Sequence, residues 1–182
     1  MPRSANQKLK LLCLCRILWE RTDEDHPLTV PELIQALEAW DIKAERKSIY
    51  DDMEALRARA VEVALSYQGT QYRWGGKSPL GVDCSGLTFM AWFFCGVSLY
   101  RDARLVDGFP ARPIPFEARK PGDLLYFPGH IALYLGNDRY IHSTARAGSD
   151  GVMINSLDPA APDYRADLRE KLYAVGSVFP LA

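Results

Sequence analysis

The chain has 182 residues, a formal net charge of −1 and a hydrophobic fraction of 48%, the composition of an ordinary globular protein. Ten basic residues stand against eleven acidic ones through Ala60, and twelve against twelve beyond it, so bulk charge implies neither nucleic acid nor membrane as a partner. The four cysteines do not form a disulfide framework, and no cysteine–histidine spacing suggests a metal site. No cofactor motif is present.

Taken in order, residues 6–21 read as a helix, with Leu11, Leu14, Cys15 and Leu18 at helical spacing. The apolar run Leu11 to Trp19 is broken by Arg16 and has no small-residue cleavage site after it, so no signal peptide or membrane span is expected, and the chain reads as cytoplasmic. Thr22 to Pro27 is a charged loop. Thr29 caps a second helix over residues 31–40, with Pro31 near its first turn and Glu32 three residues on. A turn at Asp41 to Ala44 leads to a third helix over residues 45–59, with Ile49, Met53 and Leu56 facing inward.

Three short helices with a brief turn between the second and third suggest a helix-turn-helix. The stretches Ile42–Tyr50 and Asp52–Leu56 resemble the helix-turn-helix heads of WYL-type transcription regulators, over about residues 6–58. The resemblance implies that Lys43, Arg46, Lys47, Ser48 and Tyr50 would face DNA. Asp51 and Asp52 oppose that role, since phosphates repel carboxylates on a reading helix. The hairpin wing expected after the third helix is also missing. A packing or docking role for this segment is therefore preferred to DNA binding.

Beyond Ala60, Val61 to Tyr67 is helical and Gly69 to Gly76 is a turn-rich approach to Asp83-Cys84-Ser85-Gly86. Ser85 to Gly96 reads as a buried helix ending at a glycine. A cysteine in the first turn of a helix meets the positive end of the helix dipole, which favours the nucleophilic thiolate. Arg101 to Lys120 reads as a long connection, a lid on the substrate side. Strands follow at 124–127, 131–135, 139–143, 153–156 and 172–179, giving an α+β unit with one antiparallel sheet.

Two histidines fall in these strands. Cys84 as nucleophile, His130 as general base and His142 as the group fixing the tautomer of His130 would make a thiol acyl-transfer site. The assignment has a geometric condition. A three-residue turn at Gly136, Asn137 and Asp138 pairs Leu135 with Arg139 and sets His142 opposite Ala132, on the same face as His130. A two-residue Asn-Asp turn puts the two rings on opposite faces.

Tyr72-Arg-Trp-Gly-Gly, Asp83-Cys-Ser-Gly-Leu, Pro121-Gly-Asp-Leu-Leu-Tyr-Phe and Gly129-His-Ile-Ala-Leu-Tyr-Leu-Gly, in this order, resemble the NlpC-type family of papain-like peptidases, which cleave bacterial cell-wall peptides. The match runs from about Val61 to Phe179. Tyr100-Arg-Asp-Ala resembles the subgroup that cuts between γ-D-glutamate and a diamino acid. The resemblance implies that Asp83 binds the free amino group of the substrate as well as capping its helix. It implies that Tyr72 contacts that amine or the oxyanion, and that Ser85 lines the substrate site. The Cys84 backbone N–H is a further oxyanion donor. Arg101 and Asp102 read equally as substrate contacts and as a surface ion pair.

The expected architecture is a helix-turn-helix-like domain over residues 1–60 and a papain-like cysteine peptidase domain over residues 61–182, acting on short murein peptides without a cofactor. Two other classes remain: a regulator whose peptidase-like half senses murein fragments, and an amidase or acyltransferase on the same scaffold.

Overall fold

In a computed structural model of the chain, the structure describes residues 5–21 and 28–179. The expected loop at Thr22 to Pro27 lies outside the described residues. A 3-10 turn at Ala5–Leu9 leads into α1 (Lys10–Arg21), followed by α2 (Val30–Glu38) and α3 (Arg46–Ser66). The cap of α2 forms as its sequence requires. The Glu32 carboxylate accepts hydrogen bonds from the backbone N–H of Thr29 at 2.6 Å and from its hydroxyl at 2.7 Å.

Helix α3 runs through Ala60 without a break. No glycine or proline interrupts residues 45–67, and Leu56, Ala60, Val63 and Ala64 continue one buried stripe at helical spacing. The two helices expected on either side of residue 60 are therefore one rod. A single apolar cluster joins Leu14, Leu33, Ile49 and Met53 to Leu87, Trp92 and Ile131.

The residues read from the sequence as facing DNA divide into two groups. Lys43, Arg46 and Lys47 are exposed, whereas Ser48 and Tyr50 are half-buried. Ser48 receives the Lys10 ammonium, and Tyr50 carries the Arg46 guanidinium over its ring. Asp52 is not on an outer face: it turns toward α1 and pairs with Lys10 at 2.8 Å.

After α3 come a two-residue hairpin, β1 (Lys77–Ser78) and β2 (Gly81–Val82), and then helix α4 (Cys84–Phe93). The connection read as a lid contains a short strand, β3 (Arg112–Ile114), and a 3-10 turn at Phe116–Ala118. Then follow β4 (Leu124–Phe127), β5 (His130–Gly136), β6 (Arg139–Arg146), β7 (Ser149–Ser156), a single helical turn α5 (Ala166–Arg169) and β8 (Ala174–Ser177). These strands form one six-stranded antiparallel sheet in the order β3-β8-β4-β5-β6-β7. The α+β architecture matches the sequence reading. The added edge strand β3 escapes the sequence because it is three residues long and contains a proline, which only an edge tolerates.

The period of two divides the sheet. Leu124, Tyr126, Ile131, Leu133 and Ile141 belong to the cluster shared with the helices. Leu125, Phe127, Ala132, Tyr134 and Tyr140 form a second cluster on the other face.

Arg57 fixes α3 to the sheet. Its guanidinium is 2.6 Å from Asp123, donates to Ser177 Oγ at 2.8 Å and to the Pro121 carbonyl at 3.2 Å, and lies 5.2 Å from the centre of the Phe179 ring. The Asp123 side chain is fully buried. Removing the cation leaves a buried carboxylate unpaired, which costs about 3–5 kcal/mol. Arg57→Ala is expected to lose about that much in urea unfolding, and Arg57→Met with Asp123→Leu to recover part of it. An unchanged midpoint for Arg57→Ala would show the pair to be solvated and α3 to be held by apolar packing alone.

Candidate active site

Asp83 organises the first half of the site. Its backbone is extended and it caps α4, with Oδ1 accepting from Gly86 N–H at 2.6 Å. Oδ2 accepts from Gly75 N–H at 2.6 Å, which ties the glycine turn to the helix start. Arg101 approaches both oxygens at 3.0 Å, and the Ser85 hydroxyl donates to Oδ1 at 3.3 Å. Arg101 also donates to Ser85 Oγ and to the Gly76 carbonyl. Gly86 is required here, because a Cβ at that position would collide with the Gly76 carbonyl oxygen.

The sequence left Arg101 and Asp102 open as a pair with each other. They are not paired. Arg101 closes on Asp83, while Asp102 accepts from the Ala103 N–H at 2.8 Å and stands 3.9 Å from the exposed Arg104. Neighbouring side chains in this bend point apart, and the buried carboxylate is the stronger partner for the guanidinium.

Cys84 begins α4 and borders an open cleft of about 420 Å³. The cleft is lined by Trp74, Gly75, Lys77, Asp83, Ser85, Arg101, Asp102, Ala103 and Gly129 as well as the cysteine. The backbone N–H groups of Ile131, Ser85 and Cys84 itself act on the thiol in the direction that favours the thiolate. Ile131 directly follows His130, the first residue of β5. The half-buried Tyr72 phenol lies in the field of Cys84, Asp83, Arg101 and Asp150. Burial raises its pKa first, and Asp83, Asp150 and an ionised Cys84 act in the same direction against the single cation.

The two histidines share one face, by a route other than the expected one. The turn is the two-residue Asn137-Asp138, with φ of 49° and 55°, and Gly136 pairs with Arg139. A bulge then absorbs Leu135, so that Tyr134 pairs with Tyr140 and Leu133 with Ile141. The bulge restores the register that a three-residue turn would have set. His130 Nε2 lies 2.7 Å from His142 Nδ1, and His142 Nε2 lies 2.9 Å from Asn155 Oδ1.

The network fixes the protons. Asn155 donates its Nδ2 to the Asp163 carbonyl at 2.7 Å, so its Oδ1 is the atom facing His142. His142 therefore carries its proton on Nε2 and accepts at Nδ1. His130 donates from Nε2, which leaves its Nδ1 unprotonated and able to accept a proton. Asn155 was not read from the sequence. An asparagine inside a strand is disfavoured, and that was the available signal.

Burial opposes the resting thiolate expected from the helix dipole. Desolvation, followed by the Asp83 charge, pushes the Cys84 thiol up. Desolvation holds His130 down to about 3, helped by His142 and Arg165, and His142 down to about 4. The resting pair is neutral thiol and neutral imidazole. Alkylation of Cys84 by iodoacetamide should therefore climb with pH through the neutral range; a rate flat down to about pH 5 would mean a preformed ion pair.

Stability should respond in the same window. Between the free imidazole value of about 6.5 and these depressed values, the unfolded chain binds protons that the folded chain refuses. Stability is then fully present above about pH 6.5 and falls as pH drops toward the folded values. His142→Gln should shrink the loss in urea midpoint between pH 7 and pH 5, and an undiminished loss would place the acid sensitivity elsewhere.

Comparison with known proteins agrees with this construction. The model of the NlpC/P60 family matches residues 69–166. The chain is 54% identical over 125 residues to dipeptidyl-peptidase 6 of Lysinibacillus sphaericus, covering 69% of this chain and 45% of that protein. It is 32% identical over 107 residues to the probable peptidoglycan endopeptidase LytE of Bacillus subtilis, covering 56% of this chain and 30% of that protein. It thus spans less than half the length of either relative. A crystal structure of an NlpC/P60 family protein from Bacillus cereus superimposes with a TM-score of 0.54 at 27% identity, covering 68% of this chain and 40% of the other. With helix, sheet and residues 69–166 all in agreement, the chain belongs to the NlpC/P60 family.

Proposed function

We propose that the protein is a cysteine endopeptidase that hydrolyses γ-D-glutamyl–diamino-acid bonds in short murein peptides with a free N-terminus. The observation that carries the reading is the hydrogen-bonded chain from Asn155 through His142 to His130, which leaves His130 Nδ1 as a free base on the strand that begins one residue before Ile131, whose backbone N–H acts on Cys84. The relatives, a dipeptidyl-peptidase and a probable peptidoglycan endopeptidase, support the same substrate class.

The chemistry follows from the tautomers. His130 Nδ1 takes the thiol proton as the sulfur attacks the γ-carbonyl carbon. The oxyanion of the tetrahedral intermediate meets the Cys84 backbone N–H and the Tyr72 hydroxyl. The imidazolium, stabilised through Nε2–H by His142, returns its proton to the leaving amine, and the C–N bond breaks. A thioester remains. His130 then deprotonates a water, which attacks the thioester carbonyl and releases the glutamyl acid and the free thiol.

Charge in the cleft supports a peptide over a fatty-acyl substrate, since Lys77, Asp83, Arg101 and Asp102 all line it. At the Tyr72 end, two carboxylates, Asp83 and Asp150, and one cation, Arg101, act on the phenol. That balance suits the ammonium of a free N-terminus.

The test is turnover of L-Ala-γ-D-Glu-diaminopimelate. The parent should release L-Ala-γ-D-Glu, and Cys84→Ala should release none. Acetylating the substrate's amino group should lower kcat/KM by at least about tenfold. Asn155→Ala should lower kcat about 10- to 100-fold with little change in KM, because it disturbs the orientation of the base. Tight binding of the tripeptide without cleavage would replace hydrolysis with sensing. Equal rates on the acetylated peptide would remove the free-amine requirement.

A further inference from the structure

We propose that Lys77 is a specificity-determining residue that recognises the free α-carboxylate of the γ-linked glutamyl residue, and so distinguishes it from its α-amide. The inference rests on the peptidase reading for the identity of its ligand.

Lys77 opens β1, is exposed, and lines the same cleft as Cys84. The other charges on that wall have partners of opposite sign. Arg101 is held on both oxygens of Asp83, and Asp102 faces Arg104. Among the described residues, no carboxylate lies within 4.0 Å of the Lys77 ammonium. It rests instead 5.4 Å from the centre of the Phe89 ring. That contact is weak at an exposed site, about 0.5–1 kcal/mol, so a carboxylate entering the cleft is a better partner.

The reach is suitable. Phe89 lies five residues beyond Cys84 on α4, or about 7.5 Å along the axis. The preceding residue, Gly76, touches Arg101 through its carbonyl, which sets the root of the Lys77 side chain beside the substrate wall. In a γ-linked glutamyl residue the α-carboxylate is not part of the chain. It is four bonds, about 5 Å, from the attacked carbonyl carbon, and a lysine swinging off the ring spans the remainder. The α-amide of the same residue offers no charge at this place.

Two readouts test the proposal. The first is the ratio of kcat/KM for L-Ala-γ-D-Glu-diaminopimelate to that for the peptide with the glutamyl α-carboxyl amidated. The parent should favour the acid by about tenfold, chiefly through KM; Lys77→Met should bring the ratio near one, and Lys77→Arg should restore most of it. The second is the rate of Cys84 alkylation by iodoacetate, an anion, relative to neutral iodoacetamide, with Cys84→Ala as background. Lys77→Met should lower that ratio about three- to tenfold, and Lys77→Arg should hold it. The alkylation ratio needs no peptide turnover. If neither peptide is cleaved, the peptidase reading falls and the alkylation ratio still decides whether Lys77 recognises a carboxylate beside Cys84. A ratio in Lys77→Met equal to that of the parent, in either readout, overturns the proposal.

Discussion

The site depends on a single buried carboxylate. Asp83 takes donors from the glycine turn before it, from the helix after it, from the neighbouring serine and from the arginine of the long connection. Two of these donors, Gly75 and Arg101, belong to segments with little regular structure of their own. An anion desolvated to this degree persists only when every oxygen is satisfied, so the three segments are fixed together. The position of Cys84 follows from this, since it is the next residue along the chain. Arg101 serves the same end: it compensates the charge of Asp83 and pins the connection at the cleft wall.

The second half of the site depends on register. A two-residue turn at Asn137-Asp138 has the twist that a tight hairpin prefers, since both residues adopt positive φ and both residue types tolerate it. That turn alone would separate the histidines. The bulge at Leu135 shifts the pairing by one residue and returns His142 to the face of His130. Burial does the rest. Removed from water, both rings stay neutral, and the direction of every proton in the chain is then fixed by Asn155, an acceptor whose orientation is set by the Asp163 carbonyl.

How much was legible in the sequence differs by residue. The cysteine at the head of an apolar helix and the two histidines were singled out by residue type and spacing, and the shared face of the rings was anticipated, though through a turn of the wrong length. A bulge cannot be read from alternation alone, because it inserts one residue without changing composition. Arg101 was recognised as a residue of interest but not as the partner of Asp83, since the contact spans eighteen positions. Asn155 escaped because its role depends on strand pairing rather than on any local pattern. The resting charge state was misjudged for a related reason. The helix dipole is visible in a sequence, whereas the burial that outweighs it is not.

The uninterrupted run of α3 separates two quantities that are easily equated, the extent of kinship and the extent of cooperative folding. The family match begins at residue 69, yet the buried ion pair and the apolar cluster reach back along α3 and onward to α1. The ancestry of the first sixty residues and their mechanics are therefore separate matters. Whatever their origin, they supply one wall of the core against which the helix headed by Cys84 rests. Cut at the edge of the homologous region, the chain would expose the inner side of α4 and strand Asp123 without its cation. The natural unit for excision, circular permutation or fusion is thus set by the packing of α3 and not by the limits of resemblance.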